Sequence, residues 1–241
     1  MEVMLERCAG LDVGKDEVVG CVRTPSSSGK GRSSELRTFM TFTSGLEELA
    51  DWLTANGVEQ VVKEATGSCW KPIWYVLEDR GFELKLVNAK HVKMVPGRKT
   101  DLADAAWLAQ PLEHGLLSGS FVPPAEIREL RDLTRYRKRM IQTHTAEQQR
   151  VQKVLEDAGI KLDSVASDVL GVSGRLMLRA LVDGERDPEV LADLAKKTLR
   201  KKIPLLREAL RGRFRDHHAV MLRVILDHLD YLESAIVALV S

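Results

Sequence analysis

The chain has 241 residues, of which 44% are hydrophobic and 29% charged, with a formal net charge of +1. That is one large domain or two small ones, long enough to bury a core without disulfides or a structural metal. No apolar run approaches the ~20 residues of a membrane span, MEVMLERCAG has no signal-peptide core, and Cys8, Cys21 and Cys69 show no metal-ligand spacing. Secreted, membrane and disulfide-rich classes are disfavoured, and a cytoplasmic protein with reduced thiols is expected.

Strand and helix signals alternate first. Residues 8–13 and 17–22 are short apolar runs joined by the turn Gly14-Lys15-Asp16, as in a hairpin. Residues 24–34 are a Ser/Gly-rich loop, and 36–42 alternate like a third strand. Ser44-Gly45-Leu46-Glu47 fits a capping box and opens a helix to about residue 56, with Leu46, Leu49, Ala50 and Leu53 on one face. Residues 58–62 read as a buried strand that ends at Glu64, 70–80 as a helix closed by Gly81, and 82–87 as another strand. Thr100 can cap a helix from Asp101 towards His114, which Pro111 can end at Gln110. Trp52, Trp70, Trp74 and Trp107 fall within these helices and read as core.

Pro123-Pro124 marks a change of character, which divides the chain into 1–122 and 123–241. Residues 1–120 carry 14 basic and 17 acidic side chains, whereas 121–241 carry 22 and 18 and show no convincing strand. Residues 125–158 form one long helix stopped at Gly159, with the seam Leu130, Leu133, Arg137, Met140, His144, Glu147, Val151, Val154 and Ala158. Its ends could pack as a coiled coil, while the polar middle suits a wet or nucleic-acid-facing surface. Another helix fits 188–210, kinked at Pro204. Met221, Ile225, Leu229, Leu232, Ile236 and Leu239 recur at steps of three or four, a stripe for self-association or for packing on the chain itself.

The basic side chains cluster. Arg128, Arg131, Arg135, Arg137, Lys138 and Arg139 on the long helix suit phosphate contacts. Between Lys196 and Arg215 there are nine Lys or Arg and one acid, Glu208, and here Lys196, Lys197, Arg200, Lys201 and Lys202 make the better backbone clamp. Lys15, Arg98 and Lys99, close in sequence to acidic residues, join this set. His217-His218 has no further ligand at metal spacing, and His91 reads as a loop residue.

Four acids stand out. Asp12 lies near the end of the first strand, Glu64 closes a later one, and Asp101 and Asp104 share one helix face at i and i+3. Converging carboxylates repel unless a cation sits among them. Mg²⁺ or Mn²⁺ prefers such oxygen ligands, and a pair of ions ~3.5–4 Å apart can serve a phosphodiester displacement. Each acid alone has an ordinary structural explanation in a turn or a first helical turn. Hairpin, third strand, helix and fourth strand is the element order of the RNase H-like nucleases, whose acids fall at these places. The expected fold is therefore α/β, an RNase H-like mixed sheet with flanking helices, followed by an all-helical, coiled-coil-like segment.

The strings LDVGKD, EATGSCWKP, VNAKHVKMVPGRKTDLADAAWLAQ and PPAEIRELRDLTRYR resemble the DEDD transposases of the insertion sequence 110 type. The resemblance runs over almost all of residues 8–241. It implies DNA recombination by a mobile element, with Mg²⁺ (or Mn²⁺) at Asp12, Glu64, Asp101 and Asp104. It also implies DNA and a structured non-coding guide RNA as partners, a homodimer or higher homo-oligomer built through the helical region, and a place at the nucleoid. Members commonly continue into a second domain with a nucleophilic serine. No residue here matches that serine, so a chain lacking that domain is expected. Gly14 stands where the pattern has His, Lys63 where it has an apolar residue, and Ser68-Cys69 where it has a pairing with an aromatic. Two other readings are a non-catalytic nucleic-acid-binding and dimerising fragment and a junction-resolving nuclease. An actin-like ATPase would need a second Asp-x-Gly turn and a Gly-Gly pair, and the chain has no such pair.

Overall fold

The computed structural model describes residues 2–27, 31–65, 69–88 and 104–239, in two compact units, Met1–Pro123 and Pro124–Ser241. In the first unit, alternating apolar residues build β1 (Cys8–Val13), β2 (Glu17–Pro25), β3 (Arg32–Met40), β4 (Gln60–Glu64) and β5 (Glu83–Val87). They form one sheet in the order β3-β2-β1-β4-β5. β1, β2 and β3 pair antiparallel, whereas β1, β4 and β5 pair parallel. This is the RNase H-like mixed sheet that the element order predicts.

Alternation along each strand separates two faces. Ala9, Leu11, Val18, Val22 and Val61 pack on α1 (Thr43–Ala55) and α2 (Trp70–Asp79), through Leu46, Leu49, Leu53, Ile73 and Leu77. Burying each of these leucines contributes ~2 kcal/mol. On the other face lies α3 (Asp104–Glu113). There Leu108 and Leu112 cover Cys8, Val62 and Val87, and Ala105, Ala106 and Ala109 cover Cys21. Trp52 and Trp74 are buried as expected, while Trp70 and Trp107 are half-buried.

Local differences from the sequence reading have physical causes. β3 begins at Arg32 because its first half pairs with β2 up to Pro25. α1 is capped at Phe42 with no side-chain bond, so the Ser44 capping box does not form. α3 runs past Pro111 to Glu113, because a proline in a last turn removes a single hydrogen bond.

The second unit is helical among its described residues: α4 (Ala125–Asp157), α5 (Val172–Val182), α6 (Pro188–Asp193), α7 (Ile203–Ala209) and α8 (Asp216–Ala238), with 3₁₀ turns at Leu162–Ser164 and Lys197–Lys202. Gly159, at φ 73°, ends the long helix. Val151, Val154 and Leu155 of α4 meet Leu178 and Leu181 of α5 and Leu222, Leu226 and Leu229 of α8. The helix expected over 188–210 is three pieces. Asp187 caps the first, accepting from the Glu189 N–H at 2.9 Å, and Pro204 sits in the first turn of the last, where it loses no bond. Between them stands the lysine-rich 3₁₀ turn.

The long-helix seam is dry only from Met140 onward, for Leu130 and Leu133 are 56% and 51% exposed. Its polar middle is paired with α8 at a partly exposed edge. His144 bonds Glu233 at 3.1 Å, and buried Glu147 meets His228 at 3.1 Å. The stripe on α8 packs back on this unit, with Ile225, Leu229 and Leu232 buried but Met221 exposed.

One buried ion cluster ties α3 to the sheet. Glu113, at 0% exposure, pairs with Arg23 of β2 and, at 2.6 Å, with Arg32 of β3. Removing one partner of such a cluster leaves uncompensated buried charge. Glu113→Gln should therefore cost about 3 kcal/mol, seen as a lower urea midpoint at unchanged slope.

Candidate active site

Strand register decides which acids meet. Leu11 of β1 stands opposite Lys63 of β4, so the next residues, Asp12 and Glu64, lie side by side, one residue before the end of β1 and at the end of β4. Alternation places both on the face of Cys8, Gly10 and Val62, which is the face of α3. A Cβ at Gly10 would lie 2.3 Å from the Ala105 carbonyl oxygen and 2.6 Å from the Ala109 nitrogen. Cys8 Sγ, further back on β1, donates to the Ala109 carbonyl at 3.7 Å. α3 thus runs opposite to β1, and Asp104, its first described residue, lies towards the Asp12–Glu64 end. Asp12 and Asp104 are exposed and Glu64 is half-buried.

The donors along this edge are carboxylate oxygens, exposed in Asp12 and Asp104 and half-buried in Glu64, and like charges drawn together favour a cation between them. Such a set fits a hard divalent ion, which takes oxygen ligands and keeps several waters. The three carboxylates do not all approach within 4.8 Å of one another; among the described residues, the group of three that does is Asp157, His217 and His218. Asp101, Arg98, Lys99 and His91 lie outside the described residues.

That histidine pair lacks a partner in sequence, and the fold supplies one from 61 residues away. His218 Nδ1 accepts the Arg215 N–H at 3.0 Å, so Nε2 carries the proton and donates to Asp157 Oδ2 at 2.8 Å. This bond is the main cause that holds the Asp157 carboxyl below its ordinary range. Both His218 nitrogens are therefore in use, and the group caps α8 rather than presenting a free ligand.

The predicted nucleic-acid-binding cations that fall among the described residues are on the surface. Lys15 is exposed in the β1–β2 turn, Arg131, Arg135 and Lys138 are exposed on α4, and Lys197, Arg200 and Lys201 are exposed in the 3₁₀ turn. Lys63 is different. It points to the face opposite Glu64, is 3% exposed, and its Nζ has no hydrogen-bond partner among the described residues. Burial lowers its pKa from 10.5 to about 7. The sequence flags the misplaced charge, and the fold answers it by making the amine easy to deprotonate.

Residues 9–160 match the family model of the DEDD transposases of the insertion sequence 110 type, described as a transposase. No curated protein matches the chain significantly in sequence. Among solved structures, the fowlpox virus Holliday junction resolvase is 11% identical over 34% of this chain and 60% of its own, at a TM-score of 0.28. The fowlpox virus resolvase in complex with substrate Holliday junction DNA is 13% identical over 39% of this chain and 65% of its own, at a TM-score of 0.29. The chain thus spans less than two thirds of either resolvase, and likenesses this slight carry no functional weight.

The lowered pKa of Lys63 fixes the sign of a pH effect. Between about pH 7 and 10.5 the unfolded chain holds the lysine proton and the folded chain does not, so stability rises with pH. Cys8, pushed up to about 12 by burial and then by the Glu113 charge, acts in the opposite sense above its ordinary value of 9.0. In metal-free buffer, denaturation midpoints should climb from about pH 7 to 9. Lys63→Met should flatten that climb and stabilise the chain at pH 7 by up to about 4 kcal/mol.

Proposed function

This chain belongs to the DEDD transposases of the insertion sequence 110 type, and we propose that it carries out DNA recombination by metal-dependent phosphodiester transfer at Asp12, Glu64, Asp101 and Asp104. The observation that supports this reading is the register that sets Asp12 and Glu64 side by side towards the ends of adjacent parallel strands, on the sheet face covered by α3, whose described residues include Asp104 at the same end. These carboxylates would hold Mg²⁺ or Mn²⁺. Such an ion supplies charge stabilisation to a phosphodiester undergoing displacement. Asp12 and Asp104 are exposed, which leaves the edge open to a bulky nucleic acid. The acids themselves repel phosphates, so the backbone falls to Lys15, Arg98 and Lys99, and to Arg131, Arg135, Lys138, Lys197, Arg200 and Lys201.

The same reading takes DNA at the nucleoid as substrate and a structured non-coding RNA as guide. Self-association would use apolar positions that the fold leaves exposed, Leu130 and Leu133 of α4 and Val220 and Val224 of α8.

A thermal-shift titration with Mn²⁺ and Mg²⁺ tests the site. A ligand that binds only the folded chain, at ~100 times its Kd, adds ~2.7 kcal/mol. The wild-type chain should gain melting temperature, and Asp12→Asn and Asp104→Asn should not. Identical responses in all three would remove the metal site and leave a nucleic-acid-binding protein without this chemistry. Cleavage of four-way junctions without strand joining would turn the reading into a junction-resolving nuclease.

A further inference from the structure

The helical unit contains two adjoining clefts that the acidic edge does not use. One, of about 280 Å³, opens between Gln148, Gln149 and Gln152 of α4 and the segment from Asp163 to Leu170. The other, of about 230 Å³, opens between Ser167 and Asp168 of that segment and Lys196 and Lys197. Ala166, Ser167 and Asp168 line both, so the two form one groove with chemically unlike ends.

The first end is lined by side-chain amides. Each glutamine offers a donor and an acceptor side by side, the pattern that matches the edge of a nucleobase. The second end is cationic. Lys196 and Lys197 are exposed and have no carboxylate partner among the described residues. Lys197 is held at φ 50°, a left-handed conformation that few side-chain-bearing residues adopt. The turn is fixed from beneath, where Ser173 Oγ accepts the Lys196 N–H at 2.9 Å. Asp168, whose carboxylate accepts the Leu170 N–H at 3.0 Å, sits between the two ends. It repels a phosphate towards the lysines and can accept from a base amino group.

The long helix leads into this groove. Arg131, Arg135, Lys138, Gln142, Thr145 and Gln149 follow one another at steps of three or four and so share a face. The face is cationic at first and amide-lined where it reaches the cleft, over about 30 Å of helix. A purely acidic protein partner would match the cations but leave the glutamines unused. A duplex is too wide for clefts of this size, whereas one nucleotide with its flanking phosphate is not.

We propose that this groove binds one unpaired nucleotide of a nucleic-acid strand, with Gln148, Gln149 and Gln152 on the base edge and Lys196 and Lys197 on the adjoining phosphates. The proposal rests on the reading of the chain as acting on nucleic acid, and it adds where a strand lies and which groups read a base.

Fluorescence anisotropy on the full chain tests it, with labelled single-stranded 12-mers of DNA and RNA and with abasic strands of equal length. The wild type should bind base-bearing strands about tenfold more tightly than abasic ones, the size of one good base contact. The triple variant Gln148→Ala, Gln149→Ala, Gln152→Ala should close that gap and leave the salt dependence unchanged. The double variant Lys196→Gln, Lys197→Gln should weaken both kinds of strand and reduce the slope of log K against log salt by roughly 1.4, about 0.7 for each phosphate lost. Melting temperatures of the variants, all changed at exposed or half-exposed positions, check the fold. A base-dependent gap that survives in the glutamine variant, or a slope that survives in the lysine variant, overturns the groove alone. A wild-type chain that binds no strand overturns both the groove and the nucleic-acid reading. Tighter binding of DNA or of RNA identifies the source of the nucleotide, and either supports the proposal.

Discussion

How closely α3 can lie on β1 governs the first unit. The helix crosses the strand at Gly10, where there is no room for a Cβ against the Ala105 carbonyl and the Ala109 nitrogen. Its contact face is correspondingly small, with Ala105, Ala106 and Ala109 set against Cys21. Larger side chains at this crossing would lift the helix from its N-terminal end, which is the end that carries Asp104. Glu113 holds the other end by its pairing with Arg23 and Arg32. One contact forbids a gap and the other forbids sliding, so the place of Asp104 relative to the Asp12–Glu64 edge is set by how α3 lies on the sheet.

The legible parts of this arrangement were those set by periodicity. Ala9, Leu11 and Val13 alternate with Cys8, Gly10 and Asp12, so the sequence already separates the two faces of β1. It cannot show that β4 aligns Glu64 with Asp12, since register depends on pairing across some fifty residues of chain. The Ser44 capping box was misleading because Gly45 lies under the Met40 carbonyl, where a Cβ would come within 2.3 Å. The start of α1 is thus set by backbone approach and not by a side-chain bond. The helix expected over 188–210 failed for a related reason. Leu191, Ala192, Leu206 and Ala209 are all buried and keep a helical period, while the lysines between them break it. The Asp157–His218 contact joins two helix ends and leaves no trace in local spacing.

In the second unit, buried polar groups set the alignment of α4 on α8. Glu147 is nearly inaccessible and has His228 and Arg150 as partners. Arg175 and Arg179 of α5 bind the same exposed edge of α8 through Asp227, Asp230 and Glu233. The surface pairs add little to stability, as exposed ion pairs do. Glu147 matters more, because any slip of one helix along the other would leave its charge buried without a partner. Apolar contacts alone tolerate several registers, and one satisfied carboxylate makes a single register preferable.

The distribution of charge follows from the chemistry proposed for the chain. A site made of carboxylates attracts cations and repels the phosphodiester on which it would act. Holding a polyanion against such an edge needs positive charge elsewhere, on surfaces where lysine and arginine stay solvated and unpaired by acids. The sequence divides accordingly, with an acidic excess in residues 1–120 and a basic excess after them. Within the basic part, the exposed cations of α4 and of the 3₁₀ turn at Lys197–Lys202 are not spread evenly but flank a groove lined by amides. Uniform positive charge would bind any nucleic acid in any position. Cations interrupted by hydrogen-bonding groups bind a strand in one register, which a reaction at a fixed phosphate requires.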